Sequence, residues 1–426
     1  MLMPILAIYG EELSGVSPLW IGLAIGAYGL TQALFQIPMG WLSDRFGRRR
    51  IIVLGLVIFA IGSLIAAFST SIEMVTVGRA IQGLGAIASA VLALASDVTR
   101  EEQRPKVMAV IGMCIGLSFA LALILGPMIA KSYGLQGVFL VTAAMAVAGI
   151  VIVLTIVPVA YTRARSSEVT ASKSQLKQLL GDVQLLRLDA GVLILHMMMT
   201  SIFVAMPVLL TSAGIGVDSH WQVYLPVLLL SFVFMVPMII VAAKKSIEKT
   251  MFINAIGMLV VAFVLAALGT EIWLLVTSLF IFFVGFNFLE ASLPAHVSRL
   301  APAGQKGSAM GIYSSSQFIG AFLGGISGGY IAQTFGFSYL FAANTILAVL
   351  WLVISLGMVI PKSSKRVSVA LEPNTVHEYE RLIEAVSQCE GVMEATFVQD
   401  EYRIYLKVEK HHYDKDKVGQ LISEFS

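Results

Sequence analysis

The stretch GWLSDRFGRRR, Gly40 to Arg50, lies between two long apolar runs and sets one acid and four arginines in seven positions, 44–50. Any polar residues would end a membrane segment, so an Asp, a Gly and an arginine cluster at this spacing require a specific explanation. The flanks establish that it is a loop. The chain is 58% hydrophobic and 13% charged, with a mean hydropathy of +0.86, whereas soluble globular proteins are roughly 45–50% apolar and about 25% charged. Windows of about 19 residues, the length that crosses a hydrocarbon core of ~30 Å, give eleven candidate spans. They lie near 17–42, 51–68, 74–97, 107–130, 136–158, 190–213, 221–243, 251–269, 272–298, 307–333 and 336–360.

Charge orients these spans. Of 28 Lys and Arg, 20 fall in alternate connections and the linker after the last span, at 45–50, 100–106, 163–187, 244–249, 299–306 and 362–366; Lys131 is alone on the opposite side. By the positive-inside rule the arginine loop, the central linker and the C-terminal tail face the cytoplasm. That parity requires the opening run MLMPILAIYG to supply, from Met1 to Ile8, the outward half of a twelfth helix truncated at its N-terminus. The run has neither the basic start nor the cleavage site of a signal peptide. About 15–25 upstream residues would complete that helix.

The polar stretch 161–187 divides the spans into an N-terminal half, 1–160, and a C-terminal half, 188–361. The halves resemble each other: 104–147 aligns with 304–349, Lys106 with Lys306, Gly134 with Gly336 and Pro158 with Pro361. Tandem halves of six helices place a pathway at their interface near the bilayer midplane. Beyond Pro361 the chain turns soluble in character. Alternation predicts strands at 367–372 and in EATFVQD and YRIYLKVEK, with helices at 374–389 and 413–425. The order β-α-β-β-α reads as a small α+β ferredoxin-like domain over 366–426, short of its last strand. His411 and His412 read as a solvated turn, and Cys114 and Cys389 as packing residues, so neither a metal site nor a disulfide is expected.

Asp44 and Asp97 fall at the C-terminal ends of predicted helices, the unfavourable end of the helix dipole for a carboxylate, so each needs a cationic partner or another helix's N-terminus. Arg45 and Arg48 lie within about a turn of Asp44, and Gly47 suits a tight turn with positive φ. Ionisable groups inside spans are functional candidates by default, and three stand out: Arg79, His196 and Glu290. His196 lies seven residues inside the start of its span and Glu290 eight residues before the end of its own, a matched depth of roughly 10–12 Å at 1.5 Å per residue. An imidazole and a carboxylate sharing an aqueous space can load and unload protons. Gln32 and Gln36, and Tyr313 and Gln317, are one-turn pairs that serve as cavity candidates or as interhelical hydrogen bonds.

GWLSDRFGRRR resembles, over its full length, the G-x-L-x-D-R-x-G-R-[RK] signature of the major facilitator superfamily, with Gly40, Asp44, Arg45, Gly47, Arg48 and Arg49 at its fixed positions. GRAIQGLGAIASA, 78–90, is similar to that family's fourth-helix motif, which implies a proton-coupling role for Arg79. GPMIA, 126–130, resembles the core of its fifth-helix antiporter motif at Gly126 and Pro127, although Ala122 and Ala130 stand where glycines are usual. With its soluble tail the whole chain resembles the YajR-type group of bacterial facilitators. The resemblance implies that Asp44 latches the outward-facing state against the start of the eleventh helix, near Gly307 and Ser308, and that Asp44, Arg48 and Asp97 form a charge relay. It also implies that the spans of His196 and Glu290 line the cavity.

The reading is therefore an all-α membrane fold of two six-helix halves with a small C-terminal domain. Its expected function is that of a proton-coupled antiporter of the bacterial inner membrane, exporting a small lipophilic or cationic molecule. The proton gradient is its energy source, and no cofactor, metal, nucleic acid or catalytic constellation is expected. Symport, or a membrane sensor with the tail as output, remain as alternatives, and the tail could bind a ligand or self-associate.

Overall fold

The computed structural model describes residues 5–6, 13–99, 104–157, 179–301, 306–359, 364–370, 379–398, 403–409 and 415–424. Helix α1 (Pro18–Phe46) begins at a proline, with the Ser17 side chain accepting from the Trp20 N–H at 3.3 Å, a pairing that satisfies one of the free first-turn donors. Gly47, at φ 98°, both ends α1 and starts α2 (Arg48–Ala67). Nothing lies within 4 Å of a Cβ built there. Backbone conformation alone demands the glycine.

The span expected at 74–97 is broken into α3 (Ile72–Leu84) and α4 (Ala88–Asp97). A Cβ on Gly85 would overlap the Gly55 carbonyl of α2, and one on Gly83 the Tyr28 carbonyl of α1. The chain is thus bare where it squeezes between two neighbours, and a glycine-rich run holds a helix weakly. Helix α5 (Arg104–Thr155) carries the two spans expected at 107–130 and 136–158, joined at Gly134 with φ 62° and ψ −168°. Gly336, its repeat counterpart, has φ 92° and ψ 174° and starts α11 (Phe337–Leu356). The same left-handed junction recurs in both halves. Between them run α6 (Val183–Ser212), α7 (Trp221–Lys244), α8 (Glu248–Leu268), α9 (Ile272–Leu300) and α10 (Lys306–Thr334).

Among the described residues nine segments are long and apolar enough to cross a membrane. Helix α10 is long enough but less apolar, with seven glycines and five serines in 29 residues. Those glycines let two helices reach its backbone. A Cβ on Gly26 would stand 2.9 Å from the Phe322 carbonyl, one on Gly29 2.8 Å from that of Phe318, and Gly22 and Gly325 would overlap each other's carbonyls, so α1 and α10 run antiparallel. On another face Gly320, Gly324 and Gly328 meet Leu193, Met197 and Ser201 in step, so α6 and α10 run parallel. Close backbone approach through small residues is how helices associate in lipid.

The chain forms two compact units, Met1–Ile239 with Lys249–Val359, and Ile240–Glu248 with Ile360–Ser426. In the second, β1 (Ser364–Ala370), β2 (Val392–Val398) and β3 (Arg403–Glu409) make an antiparallel sheet in the order β1-β3-β2. Pairing runs from Ser364–Glu409 to Ala370–Arg403 on one side of β3, with a bulge between Val392 and Glu394 on the other. Period-two alternation puts Ile404, Leu406 and Val408 on one face. They are buried with Leu382 and Val386 of α12 (Tyr379–Ser387) and Val418 of α13 (Lys415–Glu424).

Candidate functional site

Helix α6 is anchored by Asp182, whose carboxylate accepts from the Gln184 and Leu185 N–H groups at 2.8 and 3.2 Å. Fourteen residues on, His196 is buried with Nδ1 3.2 Å from the Val192 carbonyl. A carbonyl only accepts, so Nδ1 carries the hydrogen and Nε2 is left as an acceptor. Gln317 of α10 meets it, its Nε2 2.8 Å from the imidazole Nε2 and 3.3 Å from Glu290 Oε1 of α9. One amide thus gives its two hydrogens to an imidazole and a carboxylate. Glu290 Oε2 lies 3.7 Å from His196 Nε2, an ion-pair distance once the ring is protonated. The Phe286 ring stands edge-on to the imidazole at 5.8 Å.

This arrangement has two states. A proton added at His196 Nε2 removes the acceptor that Gln317 now donates to, so the amide must turn its oxygen to the ring or withdraw. Either move frees the imidazolium to pair with Glu290. The structure brings His196 and Glu290 to within 3.7 Å of each other and bridges them through Gln317, which the sequence offers either as a cavity residue or as an interhelical hydrogen bond and which makes the latter.

Tyr313, one turn before Gln317, has a buried hydroxyl without a hydrogen-bond partner. Asp189 of α6 also belongs to this neighbourhood: both it and Glu290 act electrostatically on Tyr313. Sequence reasoning missed Asp189, because it follows the polar linker by two residues and reads as the linker's last hydrophilic group. The signal was its seven-residue spacing from His196, about two helical turns and so one face.

Arg79 falls in a different cluster. Its guanidinium lies 4.5 Å from the Tyr28 ring centroid, donates from Nε to the Ala24 carbonyl at 3.3 Å and from Nη1 to Gln82 Oε1 at 2.7 Å. Gln82 in turn donates to Ser63 at 2.7 Å, and Gln32 to the Tyr28 hydroxyl at 2.9 Å. The cation is thus held between α3 and α1 by an aromatic face and neutral acceptors. Gln36 is buried, its side-chain oxygen without a partner, while its backbone carbonyl accepts from Ser89 of α4.

In the arginine loop a Cβ on Gly40 would stand 3.2 Å from Ser89 Oγ, so α1 meets α4 here. Arg45 lies over Trp41 and Phe46 at 5.5 and 5.6 Å, Arg48 donates to Ser43 Oγ at 2.7 Å, and Arg49 to the Leu154 carbonyl of α5. The arginines thereby tie the ends of three helices. The side chains of Asp44 and Asp97 lie outside the described residues, as does all of His411 and His412. Gly126 and Pro127 are buried within α5.

Long apolar helices, a repeated left-handed junction and ionisable groups buried between spans define a multi-pass membrane transporter. A profile of the Major Facilitator Superfamily matches residues 1–324 and 248–380. The chain belongs to the major facilitator superfamily. It is 42% identical over 427 residues to the inner membrane transport protein YajR of Escherichia coli K12, covering 100% of this chain and 93% of that one. It is 38% identical over 327 residues to an uncharacterized transporter of Buchnera aphidicola subsp. Acyrthosiphon pisum, covering 76% of this chain and 84% of that one. Among solved structures it resembles a D-xylose-proton symporter with TM-score 0.67 and 15% identity, over 84% of this chain and 93% of that one. The protein is thus an inner-membrane transporter and not an enzyme.

Proposed function

We propose that the protein is a proton-coupled antiporter that exports a small lipophilic or cationic molecule by alternating access, driven by the proton gradient without a cofactor. The observation that carries this reading is the part-buried His196–Gln317–Glu290 arrangement, whose glutamine must change partners when a proton arrives. Carboxylate oxygens in an otherwise Met- and Phe-rich unit suit a cation, and they suit protons equally. That double affinity is what exchange requires: solute and proton compete for one charge. In this reading the arginine loop and the tail face the cytoplasm, and Asp44, Arg48 and Asp97 latch the cytoplasmic helix ends. The tail's order β-α-β-β-α and its β1-β3-β2 sheet support a ferredoxin-like domain that binds a ligand or a second copy. Symport and sensing predict different fluxes from the same site.

The test is ethidium movement in proteoliposomes. An acid interior should drive accumulation at least tenfold above a no-gradient control, and Glu290→Gln should reduce it to that control. Net uptake along an inward proton flow would instead indicate symport, and the absence of flux a sensor. Equal accumulation by Glu290→Gln and the wild type under the gradient would refute the coupling role of Glu290.

A further inference from the structure

Asp189 stands in the second turn of α6, two turns before His196, in a place where a structural carboxylate would be met by donors. Its residue keeps 7% of its exposure, and Oδ1 has no hydrogen-bond partner. Arg187, the nearest cation on its own helix, donates to the Gly357 carbonyl beyond α11. On α10 the Tyr313 hydroxyl is likewise buried without a partner, and it lies within electrostatic reach of Asp189 and of Glu290, whose Oε2 is also unpartnered. Three helices thus each bring an unsatisfied buried oxygen to one neighbourhood. Buried polar groups in native proteins are nearly always paired, so each exception calls for an explanation.

We propose that Asp189 is a proton-carrying residue, the station nearest the cytoplasm on a buried line Asp189–Tyr313–Glu290–His196 through which the intramembrane pair exchanges protons with the cytoplasm. The inference rests on the antiport reading and its topology. In this structure the Tyr313 hydroxyl bonds to neither carboxyl group, so the releasing step first requires a side-chain movement that brings both onto it. The Glu290 carboxyl then gives its proton to the Tyr313 oxygen as the phenol gives its own to the Asp189 carboxylate. One O–H bond breaks at Glu290, one forms at Asp189, and Tyr313 ends as it began. Asp189 then loses the proton to water. The titratable side chains described on the helices packed against α6 are Tyr313 and Tyr330 on α10, Glu290, His296 and Arg299 on α9, Tyr28 and Arg45 on α1, and Tyr339 on α11; Tyr330 and Tyr339 are exposed. Tyr28 is engaged under Arg79 and Arg45 over Trp41, while His296, edge-on to Phe252, keeps a buried Nδ1 without a partner. Tyr313 is the group on which both Asp189 and Glu290 act electrostatically, and this makes Tyr313 and Glu290 the exchange partners of Asp189 in the proposal.

The test compares two modes in proteoliposomes of the full chain: gradient-driven ethidium accumulation, and ethidium counterflow, which moves no net proton. Asp189→Asn and Tyr313→Phe should each lose at least tenfold in accumulation, and Asp189→Asn should keep counterflow within twofold of wild type. Asp189→Glu should restore most of the accumulation, with a shifted pH profile. Wild-type accumulation by Asp189→Asn would overturn the inference, and so would an equal loss of counterflow that Asp189→Glu does not rescue. If Glu290→Gln uncouples transport while Asp189→Asn does not, only the role of Asp189 fails. If the wild type shows no gradient dependence, the antiport reading fails and this inference with it.

Discussion

Gln317 holds two ionisable groups with a single amide, and this makes it more consequential than its neutral side chain implies. Gln317→Leu keeps the volume near constant but leaves His196 Nε2 and Glu290 Oε1 without their donor. Leaving a buried polar atom unsatisfied costs about 1–3 kcal/mol, so the detergent-solubilised protein should unfold at a lower temperature and lose gradient-driven transport. An unchanged midpoint with unchanged coupling would show that the bridge is dispensable. At this scale the sequence was partly legible. Matched depth in two spans was enough to pair His196 with Glu290, because rise per residue is fixed. Helix-to-helix register is not written in either helix alone, so an interhelical hydrogen bond by Gln317 is legible but its two partners are not, and Arg79 was grouped with a pair from which the structure separates it.

Among the elements, α10 is decisive because it is the least apolar. Its glycines remove side chains on two faces, one against α6 in parallel and one against α1 in antiparallel. The α1 contact involves Gly22, Gly26 and Gly29, in the half of α1 farthest from the arginine loop. Gly325→Leu would drive a side chain into the Gly22 backbone and hold that end apart. In a background lacking Cys114 and Cys389, the Leu19→Cys thiol should then react several-fold faster with an impermeant maleimide added to that side. An unchanged rate in folded protein would show that the contact does not close the pathway. Sequence reading saw this glycine content only as a repeat of the first half. It read 74–97 as one span, and Ile72–Ala95 is one crossing, but hydropathy does not register the neighbour's carbonyl on Gly85 where that crossing breaks into two helices. Gly47, Gly134 and Gly336 were easier: each stands between two strong helical patterns, where a turn was already required.

Across the whole molecule, alternation and turn spacing in the tail were enough to place its three strands and two helices, since a small unit has few ways to bury one apolar face per strand. That unit has its own core, built on Leu406 among six fully buried side chains. Leu406→Ala should destabilise it by about 2–5 kcal/mol. Limited trypsin digestion of the full chain in membranes should then remove the tail sooner while the helical unit stays intact and transports ethidium at the wild-type rate. Loss of the helical unit alongside the tail would show that the two depend on each other for stability. Oligomeric state left no mark in the pattern, because it lies in surfaces and not in periodicity.

The two ends of α1 differ in kind. About 37 Å separates Gly22 from Gly47 along a helix axis, so the glycine contact and the arginine loop sit at opposite faces of the bilayer. The first is backbone against backbone, with no ion for salt to screen; the second is dense in guanidinium groups, whose exposed interactions weaken as ionic strength rises. Under the proposed alternating-access cycle, ionic strength would thus act on only one of the two half-reactions. In that cycle a change of internal potassium would retune the step made at the arginine loop, leaving the step at the glycine face to temperature and to the lateral pressure of the lipids.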